Sequence, residues 1–450
     1  MGEDSGSERW PKRVQTRKIE AMLVGQSDEA GRPFELQKPV MIIREQKGED
    51  QGHTVFKLQH RSVGSRATDG KVVWGGDCPA DVYGARDLKG SGAEKMPQVR
   101  IIEDPDRGVF FEVEGMMDQD EIDVFAASRR VREELGLPTE RPVAIHKLNS
   151  VRMGYEKMVS IDEWRKWARK DLVFRADQFI DEKMKNWNWF EKTAGLPFYL
   201  GYKWAKKAEL MIKGRRYIDQ VEFYQEERDL QTQERVADLI FCKDEQEFTQ
   251  VWGKVMNWVN VACEARGSGI IPGTDQPARF DVNNPDDVKR YAGEWLPAQI
   301  GLYLGRMHKH NLAANFPHAQ NWSAVGTLVD LSSCFVPIQP GSEKLVKSED
   351  LVATMKNLLV LFKLDSQENY FGQNFGSEMA EPAIKSFLEA YLKESGEKFT
   401  PGRIQNIGRV MGGKSQTAIF DGRISKGFRF MTDKEIFVMR GILEKSATNI

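Results

Sequence analysis

Residues 301–330 read GLYLGRMHKHNLAANFPHAQNWSAVGTLVD. Leu304 and Met307, with Leu296 and Ile300 just upstream, fall on one stripe of a helix. The helix gives way to a polar loop rich in His and Asn, and Thr327, Leu328 and Val329 form a short run of β-formers that ends in an acid, Asp330. Mg²⁺ takes hard oxygen ligands and keeps several waters, so one amide oxygen and one carboxylate, helped by phosphate oxygens, are enough to hold it. Asn321 and Asp330 meet that need. The same residues also fit a buried strand whose Asp330 caps the next turn through Ser332 and Ser333.

Upstream, the chain changes character twice. Residues 1–34 are polar and charged and read as a tail or loosely held cover. From 35 to about 115 the pattern has period two: Phe56, Leu58 and His60 alternate with Lys57 and Gln59, and Val109, Phe111 and Val113 alternate with Phe110, Glu112 and Glu114. Asp104-Pro105-Asp106-Arg107-Gly108 supplies the turn of a hairpin. A helix follows from Gln119 to Leu135, with Ile122, Phe125, Ala126 and Arg129 at helical spacing, Gly136 at the left-handed cap position and Pro138 beyond it. From about residue 151 the chain is mainly helical. Ser160-Ile161-Asp162-Glu163 is a capping box opening a long stretch through Trp164, Trp167, Phe174 and Phe179.

Two glycine-bearing segments lie in the strand-rich part: residues 69–77, DGKVVWGGD, and residues 87–92, DLKGSG. Glycines between strands let backbone amides approach phosphates, and a lysine beside them neutralises the charge; Gly-rich hairpins without a ligand have the same look. A β-rich part with a lysine, a helix, and a later helix, polar loop, strand and Asp together make an α+β, two-lobed kinase-like fold. Its β-rich N-lobe covers 35–150 and its helical C-lobe 151–347, with a helical extension at 348–450.

Three segments resemble the selenoprotein O family of kinase-fold protein adenylyltransferases. Residues 87–92 are similar to the family's LKGxG, with Asp69, Gly70 and Lys71 resembling its glycine-rich turn. Residues 135–141, LGLPTER, look like its LGxPTxR. Asn321 to Asp330 has the family's separation of metal-binding Asn and Asp, with a matching Ser and Gly inside. The resemblance spans about residues 69–335 and is close only in these islands. It implies that Lys89, with Gly90, Gly92, Gly70 and Lys71, contacts ATP phosphates, that Asn321 and Asp330 hold Mg²⁺, and that AMP passes to a protein acceptor. Two positions depart from the family. Gln320 stands where the family has an acid before the Asn, leaving His318 as the nearby proton acceptor. The family's lysine-pairing Glu falls among Phe125, Arg129 and Arg130, with Glu121 and Glu133 nearby but not matching. A small-molecule phosphotransferase and a nucleotide-binding scaffold remain alternatives on the same fold.

Other features point elsewhere. Lys+Arg 65 against Asp+Glu 67 leaves a net charge of -2, without the global field that would draw the chain to nucleic acid or an anionic membrane. The mix of Trp164, Lys166, Trp167, Arg169 and Lys170 could stack on single-stranded nucleic acid, but Asp162, Glu163 and Asp171 among them favour a packed helix with a solvated face. The N-terminus has no apolar h-region, no stretch reaches the length of a membrane span, and the four cysteines lack CxxC spacing, so a cytoplasmic protein with reduced thiols is expected. Residues 408–415, GRVMGGKS, satisfy the Walker A pattern without its strand context. His308, His310 and His318 lack a zinc spacing, and a helix-end His ordinarily interacts with the last carbonyls of its helix. Arg266 to Gly269 and Arg215-Arg216 read as surface loops rather than phosphate clamps.

Overall fold

The structure, a computed structural model, describes residues 36–37, 57–59, 66–68, 85–90, 98–104, 108–113, 116–148, 150–153, 157–184, 196–232, 235–242, 244–266, 279–281, 283–314, 317, 319, 321–329, 336–337, 343–362, 379–412 and 441–443. Four strands come first: β1 (Leu36–Gln37), β2 (Lys57–Gln59), β3 (Arg66–Thr68) and β4 (Ala85–Lys89). The expected hairpin follows, β5 (Val99–Asp104) with β6 (Gly108–Val113), Asp104 pairing with Gly108, and Gly108 has φ +71°. Phe111 and Val113 point into the core while Glu112 does not.

Helix α1 (Gln119–Glu134) starts where the Asp118 carboxylate accepts the Glu121 amide at 3.0 Å. It ends as its sequence dictates. Gly136 takes φ +65°, its amide bonds the Glu133 carbonyl, and the Leu137 amide reaches back to Arg132 at 2.8 Å, satisfying two terminal carbonyls. Ile122 and Phe125 of α1 pack on Met117, Ile145 and Tyr224. β7 (Arg141–Lys147) returns, and β8 (Ser150–Met153) and β9 (Lys157–Ser160) make a second small hairpin.

The capping box is present in full: the Glu163 amide bonds Ser160 Oγ at 3.2 Å, and the Ser160 amide bonds the Glu163 carboxylate at 3.2 Å. It opens α2 (Ile161–Met184), which packs antiparallel to α3 (Leu196–Gln220), as the pairs Arg169–Asp219 and Lys203–Asp181 at opposite ends require. Gly214 is needed at their crossing, where a Cβ would lie 2.7 Å from the Leu172 methyls. Trp164 is buried, edge-on to Phe223 at 4.8 Å, so it belongs to this core and offers no face for base stacking.

Strand β10 (Tyr224–Leu230) then enters the main sheet, whose order is β1-β7-β10-β4-β3-β2. β2, β3, β4, β10 and β7 are antiparallel to their neighbours, and β1 joins β7 in parallel at one edge. Beyond the sheet come α4 (Val236–Phe241), α5 (Glu245–Arg266) and α6 (Pro285–Arg290), the last capped by the Asn284 side chain. A π-helical turn, Tyr291–Trp295, runs into α7 (Leu296–Lys309). β11 (Leu312–Ala313) pairs with β12 (Val336–Pro337), and α8 (Glu343–Phe362), α9 (Ala380–Ser395) and α10 (Pro401–Gly412) complete the fold.

Leu296, Ile300, Leu304 and Met307 are buried as their stripe predicts, in one core shared by α5, α7, α8, α9 and α10. Gly301 and Gly305 let α9 approach closely, since a Cβ at Gly301 would collide with the Phe387 carbonyl and one at Gly305 would sit 2.8 Å from that of Tyr391. The boundary placed at 347 falls inside α8, and the helices after it fill the same core as those before it. The fold is therefore mixed helix and strand, an α+β chain. No helix among the described residues is long and apolar enough to cross a membrane.

Candidate nucleotide and metal site

Lys89 is the last residue of β4, and its neighbour across the ladder is Glu226 of β10. Gly90 follows with φ +80° because the chain turns against the Tyr224 carbonyl, which a Cβ would meet at 2.5 Å. The lysine points at α1: its Nζ lies 3.1 Å from Glu121 Oε1 and 4.2 Å from the Phe125 ring centroid. Glu121, not a residue at the family's position, is the partner. The Lys89 side chain remains 15% exposed, so the cation is oriented but reachable.

Behind this pair the sheet and α1 are joined by buried charges. Arg129 bonds Glu226 at 2.5 Å, and Arg228 bonds Glu140 at 3.0 Å with both side chains at 0% exposure. Burial works against the Glu140 charge, but Arg228, Arg129 and Arg132 outweigh it and hold the carboxyl below its ordinary pKa. Glu140 lies in the LGLPTER segment, which has a structural task throughout. The Thr139 carbonyl accepts from Gln231 at 2.8 Å, the Pro138 carbonyl from the Tyr303 hydroxyl at 3.0 Å, and the Gly136 carbonyl from Arg306 at 3.4 Å. The segment thus ties the sheet to α7.

The stretch from Asn321 is a tight hairpin. The Val329 amide bonds the Asn321 carbonyl at 2.8 Å, the Ser323 amide bonds that of Thr327 at 2.9 Å, and Trp322 bridges Leu328. Ser323 Oγ lies 2.7 Å from Thr327 Oγ1 and accepts the Thr327 amide at 3.0 Å, while Gly326 takes φ +77° against Gln299. The Ser and Gly inside this stretch therefore build the turn. Four elements clamp it: Arg132 of α1 donates to the Leu328 carbonyl at 3.2 Å, the Val236 amide of α4 to Trp322 at 2.9 Å, and the Tyr291 hydroxyl of the π-turn to Ala324, while Gln299 of α7 backs the glycine.

Asn321 is buried, 7% exposed, at the start of this hairpin. An amide oxygen so placed suits a hard cation. The hairpin puts Asn321 directly across from Val329, the residue before Asp330. Asp330, His318, Gln320, Gly70, Lys71 and Gly92 lie outside the described residues. One helix spans the arrangement, with Glu121 at its start beside Lys89 and Arg132 at its end on the hairpin.

His308 is placed differently from expectation. His308 does not serve the last carbonyls of α7: it is fully buried, with Nδ1 2.9 Å from the Tyr391 hydroxyl and Nε2 3.1 Å from Asp350. Asp350 also accepts the Ala314 amide at 2.6 Å and so anchors the start of the polar loop to α8. Burial and the Glu397 charge push the Tyr391 phenol well above its usual range. No group of three His, Cys, Asp or Glu among the described residues could hold a metal. The first five residues of the Walker-like segment, 408–412, are helical in α10. Arg215 and Arg216 stand exposed on α3.

Compared with known proteins, the chain matches no family model, and no curated protein matches it either.

Proposed function

We propose that the chain is an ATP-dependent transferase of two-lobed kinase-like fold that passes AMP, in preference to phosphate, to a protein acceptor. The observation that carries this is the Lys89–Glu121 ion pair. In kinase-like folds a lysine on the third strand of an antiparallel sheet is oriented by a glutamate on the following helix. Among the described residues, β4 is the third, in chain order, of the five antiparallel strands β2, β3, β4, β7 and β10 of the main sheet, and α1 is the first helix after it. The Asn321 hairpin, clamped by the far end of α1, adds the second half of such a site.

In this chemistry Lys89, held by Glu121, binds nucleotide phosphates, and Asn321 with Asp330 would hold Mg²⁺. The ion would neutralise charge on the phosphate oxygens as the bond to the leaving group breaks. His318 is placed near Asn321 in sequence to take the acceptor's proton. The preference for AMP comes from the resemblance to the selenoprotein O family, since Lys89, Asn321 and Asp330 serve either transfer. Gln320, which lacks a carboxylate, favours a second reading, a nucleotide-binding scaffold without transfer.

ATP labelled at the α or the γ position, incubated with the protein alone and with lysate, tests the proposal. Label retained on protein from the α position alone is expected. Retention from γ alone would make the chain a kinase, and retention from neither, with ATP binding intact and no pyrophosphate or ADP released, would leave the scaffold.

A further inference from the structure

His308 belongs to a buried chain of side chains whose protons can be counted. Asp350 Oδ2 of α8 lies 3.1 Å from His308 Nε2, His308 Nδ1 lies 2.9 Å from the Tyr391 hydroxyl of α9, and that hydroxyl donates to Glu397 Oε2 at 3.0 Å. Each of these contacts needs one proton, and a charged carboxylate supplies none. Burial works against the Glu397 charge, but its bond to Lys347 at 2.8 Å and the nearby Arg403 outweigh it and hold the carboxyl below its ordinary pKa. At the other end, the Asp350 oxygen that faces the ring also accepts the Ala314 amide at 2.6 Å, as a carboxylate oxygen does and a carboxylic O–H does poorly. The phenol has a single proton, and it goes to Glu397. The two remaining contacts therefore draw both protons from the imidazole: Nε2–H to Asp350 and Nδ1–H to the phenol oxygen. A neutral ring would set one pair of lone pairs against each other in a site where His308 is 0% exposed.

We infer that His308 is a buried imidazolium and that its charge latches the loop from Ala314 to Asn321 onto α8, a latch that opens as pH rises. Asp350 transmits the effect, since it holds the cation on one side and the Ala314 amide on the other. Asn357, further along α8, bonds the Pro317 carbonyl at 2.7 Å, so the helix grips the same loop twice. Losing the Nδ1 proton turns the Asp350 contact from a charge-assisted bond into a neutral one of roughly half the strength. Other charged groups on the elements packed around the ring are Lys347 and Glu349 of α8, Arg403 of α10, and Arg306 of α7 with Glu394 of α9, which bond each other at 2.7 Å.

Nitrogen NMR of the full chain, labelled at its six histidines, tests the inference. The His308 signals are those lost in His308→Gln or, if that variant does not fold, those that move in Tyr391→Phe. At neutral pH both ring nitrogens should bear a proton. Glu397→Gln should remove the one on Nδ1, because Lys347 and Arg403 keep the amide oxygen and the new NH₂ faces the phenol, which then turns its own proton to the ring. As the wild-type ring loses its Nδ1 proton on raising the pH, the hydrogen-exchange protection factor of the Ala314 amide should fall about tenfold, while that of the Leu137 amide, bonded within the cap of α1, should not. A wild-type ring with one proton at neutral pH, a ring indifferent to Glu397→Gln, or Ala314 protection that ignores the ring's titration would each overturn the inference.

Discussion

Removing the charge of Glu140 should cost far more than its distance from any ligand suggests. Its carboxylate bonds Arg228 at 3.0 Å, both side chains are fully buried, and Arg129 and Arg132 add further positive charge nearby. Glu140→Gln leaves those guanidinium groups facing one another without their common counter-charge. Breaking a buried pair by removing one partner costs about 3–5 kcal/mol. Urea unfolding at neutral pH should show that loss as a lower midpoint at unchanged slope. Replacing both partners, Glu140→Leu with Arg228→Met, should recover most of it, since the desolvation of both charges is then avoided. The pH dependence has a definite sign. The folded-state pKa of Glu140 lies below its unfolded value, so its stabilisation is present above the unfolded pKa and is lost as pH falls through the folded one. Wild type should therefore lose its advantage over Glu140→Gln in acid. A loss under about 1 kcal/mol at neutral pH, the range of an exposed pair, would refute the reasoning.

Gly301→Ala should destabilise the chain by about 1–3 kcal/mol through collision with the Phe387 carbonyl, whereas Gly253→Ala, a helical site with open space around it, should be neutral or stabilising by up to about 1 kcal/mol; paired thermal melts decide. Glu121→Ala should free Lys89 and weaken Mg²⁺·ATP binding about tenfold, about 1.4 kcal/mol, without a comparable loss of stability, because the pair is partly exposed; calorimetric titration together with melting separates the two. Lys414→Ala should leave ATP affinity unaltered by the same titration, because the residues leading to it form the α10 helix rather than a phosphate loop.

What could be read from the sequence was local. The β5–β6 hairpin, the capping box at Ser160, the glycine cap at Gly136 and the α7 stripe each depend on residues within a turn or two, and the structure places them accordingly. Long-range pairing was not legible. Glu121 lies at least a turn before the positions the family pattern indicates, and its choice depends on how the Lys89 side chain crosses Phe125. His308 was taken for a helix-end residue because Asp350 and Tyr391, its partners, are supplied by α8 and α9. Nothing near Glu140 in the sequence announces Arg228, 88 residues away. The boundary at 347 falls within α8, whose apolar positions continue through it into the shared core. The Ser and Gly within the Asn321 stretch matched a family pattern first and gained a physical reason only as a turn.

Isothermal titration of Mg²⁺·ATP into the wild-type chain and into Lys89→Ala and Asp330→Ala tests the nucleotide site most directly. Lys89→Ala should weaken binding with or without Mg²⁺, since the lysine meets the phosphates itself. Asp330→Ala should remove only the Mg²⁺-dependent part, since it acts through the ion. Unchanged Mg²⁺·ATP affinity in both variants would contradict the kinase-like account.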